Sequence, residues 1–149
     1  MTATAHALVG GALAASLQTN PALGLTLSAA SHPILDMIPH WDFGWGWKKK
    51  SKRLLFFQST FDLGLGLILS YLLFGQSVTD FRYFLSCILL SEVWDILEAP
   101  YWFLGWRFPP FSWIYNIQSK LQGKTKTVQM GLLTQALTVT GLIIILKFL

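Results

Sequence analysis

Charge is scarce in this chain. Only 12% of its 149 residues are Asp, Glu, Lys or Arg, about half the share of an ordinary soluble domain. With 53% hydrophobic residues, a water-soluble fold of this size would struggle to cover itself. Lipid tails remove that difficulty by solvating apolar surface. Cysteine is nearly missing too. Cys87 stands alone inside an apolar run, which excludes an intrachain disulfide framework and reads as a small buried hydrophobe. No GxxxxGK, GxGxxG or CxxC pattern occurs, so phosphate-loop and thiol-redox chemistry have no motif to rest on. Internal repeats and low-complexity stretches are lacking as well. Histidine occurs three times and never after His40.

What is present is a series of apolar segments, enough for one domain over residues 1–149. Residues 4–17 form a short first segment. They lack a basic leader region and are expected to be mature structure. Gln18-Thr19-Asn20-Pro21 makes a polar turn, and residues 22–38 form a second segment interrupted by Pro33. Residues 54–74 are the clearest span, followed by a turn at Gly75-Gln76-Ser77 and a fourth segment, 81–104, that carries three acids. Residues 108–122 mix aromatics with polar groups and read as an interfacial amphipathic helix. Residues 128–146 form the last span. The expected fold is an all-α integral membrane bundle of four to five short transmembrane helices plus that interfacial helix. Gly10, Gly11, Ala14 and Ala15, with Gly64 and Gly66, are expected at close helix contacts.

The basic residues suggest an orientation. Five of the 11 lie between the second and third segments, and Arg107, Lys120, Lys124 and Lys126 lie between the fourth and fifth. With five crossings both connections fall on the cytoplasmic side, which puts the N-terminus there too. Six of the seven tryptophans sit in or beside the same connections (Trp41, Trp45, Trp47, Trp102, Trp106, Trp113), as anchors at headgroup level. Clustered Lys and Arg beside apolar spans suit anionic headgroups rather than nucleic acid. An inner or plasma membrane location, multi-pass, is expected.

Five of the seven acids (Asp36, Asp62, Glu92, Asp95 and Glu98) lie inside or at the ends of apolar spans, where an unpaired charge is costly and a functional role is the default. His6, His32, His40 and Asp42 fall in or beside the first two. In the five-span orientation all nine lie between mid-bilayer and the cytoplasmic surface, with Asp62 about 12 Å from the start of its helix. His32 and Asp36 are one turn apart, and Glu92, Asp95 and Glu98 follow an i, i+3, i+6 spacing that can face a bundle interior. A divalent cation would satisfy these groups together. Nitrogen and oxygen donors without thiolate suit Zn, Mn, Fe or Mg, and nine candidates leave room for one ion or two. Two ions about 4 Å apart would activate a water and stabilise a leaving oxygen.

The segments Thr4-Ala5-His6-Ala7-Leu8-Val9-Gly10 and Ser31-His32-Pro33-Ile34-Leu35-Asp36-Met37-Ile38-Pro39-His40-Trp41-Asp42 resemble the small membrane-bound metal-dependent hydrolases, the group that includes LexA-regulated inner-membrane proteins. The resemblance covers about the first 45 residues and implies His6, His32, Asp36, His40 and Asp42 as metal ligands. Many members of that family carry a further histidine motif downstream. Here Asp62, Glu92, Asp95 and Glu98 would have to stand in for it.

The resulting expectation is a membrane-embedded metal-dependent hydrolase acting on a lipid or lipid-linked ester or phosphoester at the cytoplasmic interface, with Glu92 or Asp95 as general base. Its partners would be membrane lipids, with oligomers allowed. Two other classes fit the same acids: a proton- or cation-coupled transporter or channel using them as a relay, and a non-catalytic metal-stabilised scaffold. Gln135 and Arg107 are weaker candidates, as an orienting group and an anion contact.

Overall fold

The computed structural model describes residues 1–123, 125 and 127–148, with Lys48 described in its backbone only. Lys124 and Lys126, two of the basic residues used to orient the chain, lie outside the described residues. Among the described residues the chain is all-helical, with α1 (Ala3–Ser16), α2 (Pro21–Asp36), α3 (Lys52–Phe74), α4 (Phe81–Ser91), α5 (Val93–Phe103), α6 (Phe111–Leu121) and α7 (Val128–Leu146), two short 3₁₀ turns and no strand.

Helix α1 is the pillar of the bundle. Eight of its 14 residues are Ala or Gly, so its surface is nearly bare backbone and neighbours approach closely. It packs against α2, α3, α4 and α7. A Cβ placed on Gly10 would sit 2.9 Å from the Cys87 carbonyl, and one on Gly66 would sit 2.9 Å from the Thr4 Cα. Gly64, expected at such a contact, faces open space with nothing within 4 Å. Cys87 is fully buried beside α1 in the core formed with Ala7, Phe84 and Ile88.

A helix start buried in a bundle must find partners for its first N–H groups. At α1 they are all accounted for. Thr2 N–H donates to Gln135 Oε1 on α7, at 3.3 Å. Ala3 and Thr4 N–H donate to the Asp62 carboxylate on α3, at 2.7 and 3.1 Å. Ala5 N–H donates to the Thr2 hydroxyl at 3.2 Å.

Helix α2 starts on an Asn20 cap with Pro21 in its first turn, an arrangement that uses no N–H the helix needs. Inside it, Pro33 offers no N–H to the Ala29 carbonyl. The Trp94 indole of α5 donates to that carbonyl instead, at 3.2 Å, and so ties α5 to α2.

Two helical stretches, Lys52–Ser77 and Val128–Leu146, are long and apolar enough to cross a membrane. Both turn large apolar side chains outward, including Phe57, Ile68 and Leu72 on the first and Leu133, Leu137 and Ile145 on the second. By comparison α1 and α2, with 14 and 16 residues, are about 21 and 24 Å long.

The segment expected as one span over 81–104 is two helices. The chain breaks at Glu92, whose φ of −103° and ψ of 0° lie in the bridge region. No Gly or Pro stands there, so nothing local marks the break. It frees the Ser91 carbonyl, which takes a side-chain partner described below.

Close packing and open space predict opposite outcomes at two glycines. Gly10→Val should cost about 1–3 kcal/mol through overpacking against backbone. Gly64→Ala should leave stability unchanged or raise it by up to ~1 kcal/mol through helix propensity. Thermal unfolding of the detergent-solubilised variants checks both.

Candidate metal centre

The cluster is assembled from four places in the chain. His6 comes from the buried face of α1, and His32 and Asp36 from the end of α2. His40 and Asp42 come from the loop that follows, and Glu92 and Asp95 from the break and first turn of α5. His6 and His32 are fully buried, with their rings stacked at 3.8 Å and 10°.

Asp36 is the hub. Its Oδ1 lies 3.1 Å from His6 Nε2 and 3.7 Å from His40 Nε2, and its Oδ2 lies 3.3 Å from His32 Nε2. The α-amino group of Met1 also pairs with Oδ1. Asp95 Oδ1 lies 3.4 Å from His32 Nε2, and Asp42 Oδ2 lies 3.4 Å from His40 Nε2.

The second nitrogen of each ring decides what the first can do. His32 Nδ1 donates to the Ser91 carbonyl at 2.6 Å, and His40 Nδ1 donates to the Ile38 carbonyl at 2.7 Å. A neutral ring with its proton on Nδ1 presents a lone pair at Nε2. Those lone pairs face carboxylate oxygens, which are themselves acceptors. Something positive has to lie between them, either a proton on each ring or a shared cation. A backbone carbonyl on the far nitrogen is the usual way a metal-ligating histidine is oriented.

Several buried atoms find no hydrogen-bond partner: His40 Nε2, Glu92 Oε1, His6 Nδ1 and Ser28 Oγ. Glu92 is 2% exposed, and a buried carboxylate oxygen is expensive to leave without a partner. Two triads hold donor atoms within 4.8 Å of one another, His6–His32–Asp36 and His32–Glu92–Asp95. They share His32, which has only Nε2 left to give. The triads therefore overlap at His32 and draw on five side chains between them. His40 and Asp42 flank Asp36 from the loop side.

Two expected ligands are used otherwise. Asp62 caps α1, with the Thr4 hydroxyl adding a third bond to its carboxylate at 2.7 Å. Glu98 is buried and accepts the Trp102 indole N–H at 2.6 Å. It belongs to neither triad.

The C-terminal third holds the loop that carries His40, which sequence reasoning missed. Gly123 N–H donates to the Asp36 carbonyl at 2.6 Å, Gln122 donates to Asp42 at 2.9 Å and Thr134 donates to the Pro39 carbonyl. Gly131 lies so close that a Cβ there would be 2.6 Å from Trp41 N. Gln118 of α6 reaches to 3.5 Å from His32 Nε2. Polar residues on an apolar-faced helix were the one available signal. Gln135, expected to orient a ligand, instead caps α1.

A scan against protein-family profiles and searches of characterised proteins and of solved structures each returned no match.

The capping role of Asp62 makes a stability prediction. Asp62→Ala strands two half-buried N–H groups and should cost roughly 2 kcal/mol. Asp62→Asn keeps an acceptor and should cost less. A chemical-denaturation series on the two variants checks the order.

Proposed function

We propose that the chain is a membrane-embedded metal-dependent hydrolase acting on a lipid or lipid-linked ester or phosphoester at the cytoplasmic interface, akin to the small membrane-bound hydrolases that its first 45 residues resemble. The observation that carries this reading is the meeting of three imidazoles on the Asp36 carboxylate, with Nε2 of His32 and His40 turned toward acceptors.

In the same reading α1, α2, α3, the broken pair α4–α5 and α7 make five crossings, with α6 lying at the surface and the N-terminus cytoplasmic. A break in a membrane helix is tolerated where it lines a site rather than lipid, and the break at Glu92 does so.

His6, His32, Asp36 and Asp95, with Glu92, would hold the cation, and His40 and Asp42 would hold a second one or close the first. When bound, such an ion supplies Lewis acidity and a water acidic enough to act as nucleophile at neutral pH. The chain's own residues do the rest. The Ser91 and Ile38 carbonyls fix which imidazole nitrogen points inward. Glu92, buried and with a free oxygen, is the proton acceptor. Asp95, whose side chain is 47% exposed, marks the side from which a substrate arrives. His6, His32, Asp36, His40 and Glu92 are themselves buried, which keeps bulk water from the rest.

A proton relay across the membrane is the weaker reading, because the polar groups toward the other end are already engaged. Ser70 donates to the Ala7 carbonyl at 2.6 Å and Thr138 to the Thr134 carbonyl at 2.8 Å. Each hydroxyl proton is directed at a backbone carbonyl rather than at a further titratable group.

Elemental analysis of the purified protein should find a divalent metal at a whole-number ratio. Asp36→Asn should abolish it and Asp62→Asn should retain it. With a phosphoester lipid as substrate, Glu92→Gln should lower kcat by about 10²–10⁴. Metal content in Asp36→Asn equal to that of the wild type would sink the assignment.

A further inference from the structure

Beside the cluster, a second concentration of charge has found no counter-ion. Lys50, Lys52 and Arg107 line a cavity of about 200 Å³ whose walls include Trp47, Tyr101 and Trp102. No carboxylate lines it, and among the described residues none of the three cations is in a salt bridge.

Local structure brings them together. Lys52 stands at the first turn of α3 and donates to the Phe103 carbonyl at the end of α5, at 3.0 Å. Lys50 donates to the Phe43 carbonyl at 2.7 Å and the Gln58 amide oxygen at 3.1 Å. Gly105, at φ +73°, takes the left-handed turn that ends α5. The turn returns the chain so that Arg107 lies 4.9 Å over the Tyr101 ring and donates to its hydroxyl at 3.0 Å.

These contacts hold the side chains but leave donors over. An ammonium has three N–H groups and a guanidinium five. Lys52 therefore keeps two, Lys50 one, and Arg107 more. Trp47 and Trp102 meet edge to face at 4.4 Å and form one wall of the cavity beside the half-buried Lys50, while Lys52 and Arg107 are exposed, so that all three can make charge-assisted bonds to a phosphate entering from outside. The cavity is linked to the cluster's helix: Trp102, in its wall, donates to Glu98 at 2.6 Å, and Glu98 follows Asp95 by three residues on α5.

We propose that this cavity is a phosphate-binding subsite. It seats the phosphomonoester or diphosphate group of a substrate whose scissile bond reaches the Asp95 side of the cluster. The binding stands on the cavity alone. The fate of the bound molecule rests on the hydrolase reading above.

The test uses the full chain and native mass spectrometry with phosphatidic acid and phosphatidylcholine. Phosphatidic acid should be retained about tenfold better. Lys50→Gln with Arg107→Gln should erase that preference, and Arg107→Lys should keep most of it. Asp36→Asn should not change it. Were the double variant to lose its thermal transition, the exposed Lys52→Gln replaces it, with a several-fold loss expected. Displacement by millimolar inorganic phosphate would support a site that takes the free anion as well. Retention against phosphate would support one that needs the acyl-borne headgroup. No preference in the wild type, or an undiminished preference in the charge-neutral variants, overturns the subsite. Loss of hydrolysis in Asp36→Asn with the preference intact separates the two readings, and a preference in a wild type that hydrolyses nothing sinks the hydrolase alone.

Discussion

The Asp36 carboxylate organises one end of this molecule. Side chains from α1, α2 and the loop after α2 end on its two oxygens, all at 3.1–3.7 Å. An acid in so apolar a setting is costly unless positive charge answers it. Each imidazole around it is held by something else in turn: His32 by Ser91, His40 by Ile38, and His6 by its stack on His32. Asp36 is therefore not one ligand among several. Its position ties the register of α1 to that of α2 and to the path of the loop.

Two features bring the groups within reach. The Ala- and Gly-rich surface of α1 lets α3 and α4 come close enough for Gly10 and Gly66 to meet backbone. The break at Glu92 turns a carbonyl that a continuous helix would have used internally into the acceptor for His32. A straight helix over 81–104 would present its acids along one stripe. The broken pair instead sends Glu92 and Asp95 toward His32 and leaves Glu98 with Trp102.

Much of the architecture was legible in the residues. The apolar runs and the polar turn at Gln18-Thr19-Asn20-Pro21 bound helices close to those observed. The His32–Asp36 spacing gave their contact directly, since a helix places such a pair on one side. The break at Glu92 was not legible, because Ser91-Glu92-Val93 contains no residue that ends a helix by itself. It exists through tertiary contact with α2. Nor could Asp62 be told from a ligand. A carboxylate inside an apolar span answers either a cation or a helix start, and only the arrival of Ala3 and Thr4 from elsewhere in the chain decides between them. The roles of Gln118, Gln122, Thr134 and Gly131 depend on contacts 80 to 95 residues distant, for which local sequence has no code.

Pro33 and Trp94 carry a consequence for how this bundle is aligned. The pyrrolidine ring leaves one acceptor vacant on α2, and the indole of α5 fits it. The pair works as a lock and key between two helices that also meet where His32 faces Asp95, at 3.4 Å. An acceptor left over inside an apolar bundle is selective: it admits a donor at one height and no other. The missing proton of a single imino acid thereby fixes the sliding coordinate of α5, and with it the height at which the Asp95 carboxylate stands beside His32.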